Sequence, residues 1–187
     1  MSNQPDDRTP AEIVRPLVGT RQYRDFTDEP PMDAQLRAIL ETARWTGSSQ
    51  NSQPWRFIAV RDVPTIRAMA SAGQRLTRSL QTATAAVAIA LPDDRERATA
   101  LAYDDGRAAE RILVAASMLG LGGGIAWLKG DAREAVRDLL GIPAGWFVRT
   151  VVALGHPSAT ARAPKSAPGQ ARLQREQVIF EERWPKG

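Results

Sequence analysis

Two short stretches of the sequence carry side chains that could bind a ligand. A polar loop places the hydroxyls and carboxamide of Ser48, Ser49 and Asn51 between two apolar segments. This surplus of donors and acceptors points either to a ligand or to a hydrogen-bonded turn that caps the preceding helix. Earlier in the chain, Arg21 and Arg24 stand three residues apart. Two guanidinium groups on one short piece of backbone suit a phosphate group, although such pairs are also common as solvated surface charge.

The sequence offers little chemistry of its own beyond these stretches. It has no cysteine and one histidine, which excludes disulfides, thiolate metal sites and a histidine-built metal centre within a single chain. The histidine, His156, directly follows an expected strand, which is a poor position for buried acid-base work. No nucleophile elbow or Walker loop is present. We therefore assign no catalytic side chain and no metal ligand, and expect a bound cofactor to carry any chemistry.

Size and charge limit the class of protein. At 187 residues and 20.4 kDa the chain is expected to form a single domain over residues 1–187. The net charge is +4, but the basic residues are spread along the chain and mixed with acids, so no nucleic acid partner is expected. No stretch resembles a signal peptide or a membrane span. The expected location is the cytoplasm, away from a membrane.

The hydrophobic pattern predicts the elements that must position these residues. Residues 1–12 are expected to form a flexible tail, and a short helix interrupted at Pro16 should follow over 13–18. Asp33 and Asp131 are predicted to cap helices. The continuous apolar run over 85–91 predicts a central strand covered on both faces. Further helices are predicted over 62–73, 97–119 and 131–140, and further strands over 55–60 and 147–154.

Three consecutive glycines, at positions 122 to 124, follow the longest predicted helix. A dinucleotide fingerprint is ruled out because Ile125 occupies a required glycine position and because the segment follows a helix rather than a strand. A helix C-cap explains Gly120 and Gly122 but not three glycines in a row. We interpret the segment as a turn whose backbone can approach a flat ring closely.

The last part of the chain, residues 158–187, is expected to form a connector and an arm. Its first half is rich in Pro, Ala and Ser and cannot pack a core. Its second half carries Val178, Ile179, Phe180 and Trp184, and an apolar cluster of this kind would promote aggregation if it stayed exposed to water. An arm packed on another subunit would bury it.

In order along the chain, these segments resemble the nitroreductase family of flavin-dependent oxidoreductases. The polar loop is similar to the family signature proline-serine-x-x-asparagine-x-glutamine-proline-tryptophan, with Gly47 at the first proline. The arginine pair is similar to the motif that binds the FMN phosphate, although the family often has serine at Gln22. Arg172 is similar to a late phosphate-binding arginine, although Gln170 replaces the accompanying lysine. The positions that match the signature are Ser48, Asn51, Gln53, Pro54 and Trp55.

The resemblance implies a fold, a cofactor and a reaction. The implied fold is a three-layer α+β sandwich, with a mixed, mainly antiparallel sheet between helices and a C-terminal arm exchanged in a homodimer. The implied activity is hydride transfer from NAD(P)H through FMN to a nitroaromatic, quinone or similar small acceptor. Either Arg75 or Arg78 could lie beside the flavin ring. The implied FMN-binding residues are Arg21, Gln22, Arg24, Ser48, Ser49, Asn51, Ile125, Ala126, Trp127 and Arg172.

Two alternatives stay open at the level of the sequence. One is a specialised relative, such as a dehalogenase or the flavin-destroying enzyme of cobalamin biosynthesis. The other is a protein that binds flavin without catalysis. The sequence does not distinguish NADH from NADPH as donor, nor does it identify the physiological acceptor.

Overall fold

A four-stranded sheet forms the centre of the fold in the computed structural model, which describes residues 8–167, 170 and 172–185. Its spatial order is β1, β2, β4, β3, and all three pairings are antiparallel. A parallel contact occurs as an isolated bridge between Gln22 and Gly123. The strands are β1 (Arg56–Val60), β2 (Ala85–Pro92), β3 (Gly122–Trp127) and β4 (Trp146–Gly155).

Helices cover both faces of the sheet and make the fold a three-layer α+β sandwich. Two clusters of buried apolar side chains, one on each face, form the core. No helix in the described part of the chain is long and apolar enough to cross a membrane. The helices are α1 (Pro10–Gly19), α2 (Asp33–Arg44), α3 (Val63–Gly73), α4 (Ala98–Met118), α5 (Asp131–Leu139) and α6 (Ala159–Arg162), and 3-10 turns span Ser49–Asn51, Gln74–Gln81 and Arg175–Gln177.

Strand β2 divides the core into its two halves. Val87 and Ile89 point into the cluster formed with α2 and α4, whereas Ala86 and Ala88 point into the cluster formed with α3 and α5. All four side chains are fully buried, as the uninterrupted apolar run predicted for a central strand. Burial of a valine or isoleucine side chain stabilises the fold by roughly 1.5–3 kcal/mol.

The N-terminal helix is longer than the sequence predicted. Thr9 caps it in a capping box: the Thr9 hydroxyl accepts the Glu12 backbone N–H, and the Glu12 carboxylate accepts the Thr9 backbone N–H. The prediction of a loose tail is therefore wrong for residues 10–12, and its residues 1–7 lie outside those described. Pro16 lies inside α1 without ending it.

Two predicted N-caps are also wrong by one position. Asp33 and Asp131 are the first residues of α2 and α5, while the capping positions are Met32 and Gly130. Their carboxylates still favour these helix starts, because a negative charge in the first turn interacts well with the helix dipole.

Candidate functional site

The arginine segment, residues 21–24, lies along the first half of β3. The Tyr23 N–H donates to the Gly123 carbonyl over 2.8 Å. The Ile125 N–H donates to Gln22 Oε1 over 3.1 Å. The segment is thus held at the edge of the sheet by both backbone and side-chain hydrogen bonds.

Two of the three glycines of β3, Gly122 and Gly124, are needed for this close approach. A Cβ on Gly122 would lie 2.5 Å from Pro157 Cγ and 2.9 Å from Tyr23 Cδ2. A Cβ on Gly124 would collide with the Tyr23 carbonyl oxygen. The interpretation of the glycines as a turn that faces a flat ring is therefore wrong, because they form a strand. The arginine segment packs against Gly122 and Gly124, and Leu113 of α4 packs against Gly123 on the other face.

Four of the predicted residues meet in one cavity of about 300 Å³, here called the arginine cavity. They come from both ends of the described chain, and the connector that follows α6 completes the wall. Sequence reasoning missed Lys165 and Ser166, because a lone lysine and serine in a Pro/Ala/Ser-rich connector give no pattern. The cavity is lined by Arg21, Gln22, Arg24, Ala161, Pro164, Lys165, Ser166 and Arg172.

Arg21 holds this cavity together. Its guanidinium donates to the carbonyl oxygens of Ala161, at 3.0 Å, and Arg162, at 2.5 Å. It also lies 4.8 Å from the centre of the Tyr23 ring. These carbonyls are at the C-terminal end of α6, where a cation is favourable. Arg21 therefore ties the connector to the arginine segment.

The Ser/Asn loop, residues 48–53, is organised by its own polar groups and by α4. The Gln53 N–H donates to Ser48 Oγ over 2.9 Å. The Ser49 N–H donates to the carboxylate of Asp104, at 3.1 and 3.2 Å from its two oxygens. Asp104 is 1% exposed, so a buried charge fixes the position of the loop.

The loop backbone is strained. Gln50, Asn51 and Gln53 have φ values of 51°, 54° and 45°, and none of them is a glycine. Conformations of this kind cost of order 1–3 kcal/mol each and are concentrated at ligand-binding positions. A cap that only ended α2 would not require them.

Within one chain, the loop and the arginine cavity are separate groups. The hydrogen bonds seen for the loop go to the loop itself, to Arg56, to Asp104 and to Arg97, rather than to residues of the cavity. The predicted site residues therefore form two clusters in the described structure.

The three predicted residues on β3, Ile125, Ala126 and Trp127, differ in how far their side chains are exposed to solvent. The Ala126 side chain is fully buried in the core beneath α3 and α5. Ile125 is half-buried and packs against the opposite core. Trp127 is 46% exposed, and Lys129 Nζ lies 4.4 Å from its ring centre. The prediction that all three line a ligand stays a prediction, and Ala126 could contribute to such a wall only through its backbone because its side chain is buried.

Asp105 is a buried acid that lies outside both clusters of predicted residues. It lies within α4 and is 3% exposed. Its Oδ2 accepts the Thr150 hydroxyl over 2.7 Å, while Oδ1 has no hydrogen-bond partner in the described structure. Burial raises the pKa of Asp105, and the Thr150 hydrogen bond, Arg149 and Arg133 oppose this rise.

A second, larger cavity adjoins the arginine cavity and shares Arg24, Ala161 and Lys165 with it. Its volume is about 920 Å³. Arg75 and Arg78, on the 3-10 segment Gln74–Gln81, line its other side. His156 lines neither of these two cavities, and its Nε2 lies 3.8 Å from a carboxylate oxygen of Glu29.

Comparison with known proteins connects these features. A sequence model of the nitroreductase family matches residues 17–83, a span that contains both the arginine segment and the Ser/Asn loop. A protein of Archaeoglobus fulgidus named "Putative NADH dehydrogenase/NAD(P)H nitroreductase" is 34% identical over 155 residues. That match covers 78% of this chain and 86% of the relative.

Solved structures share the fold. An FMN-dependent nitroreductase from Clostridium difficile R20291 superimposes with a TM-score of 0.76 at 24% identity, over 90% of this chain and 98% of its own. The NADPH:FMN oxidoreductase from Vibrio harveyi, solved in complex with NAD+, gives a TM-score of 0.77 at 24% identity. That match covers 92% of this chain and 78% of the other.

Proposed function

Since the chain belongs to the nitroreductase family, we propose that it is an FMN-dependent oxidoreductase that passes hydride from NAD(P)H to a small nitroaromatic or quinone acceptor. The relatives support the reaction class through their names, which include NAD(P)H nitroreductase and NADPH:FMN oxidoreductase. The chain's own residues support the cofactor through the arginine cavity.

The observation that carries the proposal is that cationic and hydroxyl side chains from distant parts of the chain meet in the arginine cavity. A phosphate monoester bears close to two negative charges at neutral pH, and its oxygens accept hydrogen bonds. The cavity offers the matching donors: the guanidinium of Arg24, the ammonium of Lys165 and the hydroxyl of Ser166. Within the described residues, the side chains of Arg24 and Lys165 form no hydrogen bond or ion pair, so their charges are available to an anion. The donor set fits the FMN phosphate.

The residues around the cavity have separate tasks in this proposal. Arg24, Lys165 and Arg172 neutralise the phosphate, and Arg21 positions the connector that carries Lys165. Gln22 fixes the arginine segment on β3. An FMN held by these residues would supply the hydride-transfer chemistry between the donor and the acceptor.

We further propose that the enzyme is a homodimer and that the Ser/Asn loop completes the partner's site. An apolar groove of about 910 Å³ runs along α4, and the exposed side chains of Leu17, Tyr103 and Met118 line it. Val178 and Trp184 of the C-terminal segment are also exposed. Large exposed apolar surfaces of this kind mark association sites. In such a dimer, the strained Ser/Asn loop of one copy would approach the FMN bound in the arginine cavity of the other.

The visible spectrum of the purified protein tests the proposal. We expect yellow protein with about one FMN per chain, bleached by anaerobic NADPH and restored by a nitroaromatic or quinone. A flavin binder without catalysis would stay yellow under NADPH. Colourless protein that takes up no added FMN would contradict the proposed cofactor.

The double variant Arg21→Ala, Arg24→Ala tests the phosphate site itself. It removes one phosphate ligand and the residue that holds the cavity wall, so we expect FMN to be lost on gel filtration. Arg95→Ala, at an exposed position outside the cavity, is the matched control and should retain FMN. Equal flavin content in all three proteins would contradict the assignment.

A further inference from the structure

The larger cavity is the space into which the rest of the proposed FMN would extend. It shares Arg24, Ala161 and Lys165 with the arginine cavity, so a ligand whose phosphate binds in the smaller space continues directly into the larger one. Its volume of about 920 Å³ falls within the range of small-molecule sites. The chain at Arg24 forms one wall and the 3-10 segment Gln74–Gln81 forms another. The distance between these two walls therefore limits the room for the cofactor.

Arg67 of α3 lies outside both cavities but is bonded to the end of the 3-10 segment. Its Nη1 donates to the Leu80 carbonyl over 2.7 Å and to the Ala83 carbonyl over 2.8 Å. Arg67 is half-buried, and the Leu80 and Ala83 side chains are fully buried. Hydrogen bonds from an ionised donor are roughly twice as strong as those between neutral groups. Arg67 therefore holds the turn over residues 80–83, which joins the 3-10 segment to β2.

The same turn also contacts the chain just after the arginine segment. Thr82 lies between the two carbonyls that Arg67 holds, and its hydroxyl accepts the Phe26 N–H over 3.0 Å. Phe26 follows Arg24 by two residues and is 5% exposed. Thr82 itself lines the larger cavity. The turn over residues 80–83 is therefore the junction at which the two walls of the cavity meet.

The middle of the 3-10 segment has anchors of its own. Thr77 is fully buried, and its hydroxyl donates to the Ala70 carbonyl over 2.7 Å. Ser79 is buried against β3, where its hydroxyl lies 3.4 Å from the Gly124 carbonyl. Because these bonds do not involve Arg67, we expect its removal to release the turn without unfolding the segment.

We propose that Arg67 is a positioning residue for the cofactor, because it holds the junction that sets the distance between the two walls of the larger cavity. This rests on the proposed function. Arg67 lines neither cavity, so its effect on FMN passes through the turn over residues 80–83. Release of the turn would displace the 3-10 segment and with it Arg75 and Arg78, which are exposed on the cavity wall.

Fluorescence titration of the apoprotein with FMN tests the proposal. We expect Arg67→Ala to bind FMN about tenfold more weakly than the wild type, and Arg67→Lys, which keeps a cationic donor, to fall between the two. Arg133→Ala is the matched control. Arg133 of α5 also donates to a backbone carbonyl, that of Leu128 over 3.0 Å, but it lines neither cavity. Its loss should leave the FMN affinity unchanged. Equal affinities of Arg67→Ala and wild type, or an equal loss in Arg133→Ala, would overturn the proposal.

The reduction potential of bound FMN separates positioning from a general loss of stability. Reduction adds negative charge to the flavin, and nearby cations stabilise that charge. At saturating FMN, we therefore expect a lower midpoint potential in Arg67→Ala than in the wild type, with partial restoration in Arg67→Lys and no change in Arg133→Ala. A potential in Arg67→Ala equal to that of the wild type would overturn the proposal.

Hydrogen–deuterium exchange of the cofactor-free protein tests the junction without flavin. In Arg67→Ala, exchange should be faster over residues 80–83 and at Phe26 than in the wild type, and unchanged in β4. Unchanged exchange over residues 80–83 would overturn the proposal. If the wild type takes up no FMN, the proposed function fails, and the exchange rates still decide whether Arg67 holds the turn.

Discussion

Asp105 is a carboxylic acid in surroundings that disfavour its charge. Its burial raises its pKa above the ordinary value of 3.8, and the hydrogen bond from Thr150 and the charges of Arg149 and Arg133 only oppose this effect. Because the folded-state pKa exceeds the unfolded one, the folded protein binds more protons between the two values. Stability is therefore greatest below that window and falls as pH rises through it.

The variant Asp105→Asn tests this effect at the scale of one residue. The amide keeps an acceptor for Thr150 and cannot ionise, so the fall in stability above pH 3.8 should disappear. Relative to the variant, the wild type should lose about 1.4 kcal/mol of unfolding free energy for each unit by which the pKa is raised. Thermal unfolding midpoints at a series of pH values measure the difference. Asp138→Asn, at an exposed acid, is the control, and superimposable pH profiles of Asp105→Asn and wild type would refute the prediction.

Individual residues of the phosphate site were predictable to different degrees. Arg21, Arg24 and Arg172 could be identified because they match motifs of a family, and Gln22 because it lies within the first of these motifs, at a position where the family often has serine. All four line the arginine cavity. Lys165 could not, because its role depends on a fold in which the connector is drawn back to the arginine segment. The part played by Arg21 in that folding back follows from two hydrogen bonds that sequence spacing does not encode.

At the scale of elements, the interior was more predictable than the edge. Strand β2 and helix α4 follow from patterns that arise from burial alone, and the structure confirms both. Strand β3 was misjudged as a turn, since glycines are typical of turns and weaken strands. Its glycines are explained only by the neighbours that pack against them, which are the arginine segment at Gly122 and Gly124 and Leu113 of α4 at Gly123.

The variant Gly124→Ala tests whether β3 requires a residue without a side chain at this position. The new Cβ would collide with the Tyr23 carbonyl and push the arginine segment away from the strand. We expect a loss of about 1–3 kcal/mol in stability, as for overpacked cores, together with weaker FMN binding. Denaturant unfolding and flavin titration measure the two effects. In Gly19→Ala, no atom lies within 4 Å of the added Cβ, and both properties should be unchanged; equal behaviour of the two variants would argue against the packing role.

The Ser/Asn loop depends on Asp104 in a similar way. Replacing it with alanine leaves the Ser49 N–H without its acceptor, and hydrogen bonds to charged groups are worth about 1.5–3 kcal/mol. We expect Asp104→Ala to bind FMN about tenfold more weakly, whereas Asp104→Asn, which keeps an acceptor oxygen, should lose less. Fluorescence titration of the apoprotein with FMN separates the two. Identical FMN affinities of Asp104→Ala and wild type would mean that the loop is not part of the site.

At the scale of the whole molecule, the proposed second copy of the chain would account for both the exposed groove on α4 and the two separate clusters of site residues. The three-layer arrangement was expected from the resemblance, and the structure confirms it. The resemblance also led us to expect a subunit interface, and this expectation remains a prediction. A single chain brings together the arginine cavity but leaves the Ser/Asn loop elsewhere.

Charge introduced into the groove tests the dimer. Met118 is 67% exposed and lines the groove, so Met118→Glu should fold normally while opposing association. We expect sedimentation velocity to show monomers and flavin absorbance to fall with them, because each site would lose the partner's loop. Leu139→Glu, at an exposed position on α5 outside the groove, should stay dimeric. Monomers of Met118→Glu with a full complement of FMN would contradict a shared site.

The hydrogen bonds from Arg21 to the end of α6 span 140 positions of sequence or more, and Arg172 also lines the same cavity. During synthesis, a nascent chain can form its sheet before these late residues leave the ribosome exit tunnel, since β4 ends at Gly155. Coenzyme binding is then a late event, because a chain that ends shortly after β4 would contain all four strands of the sheet but would lack Lys165 and Arg172 of the arginine cavity.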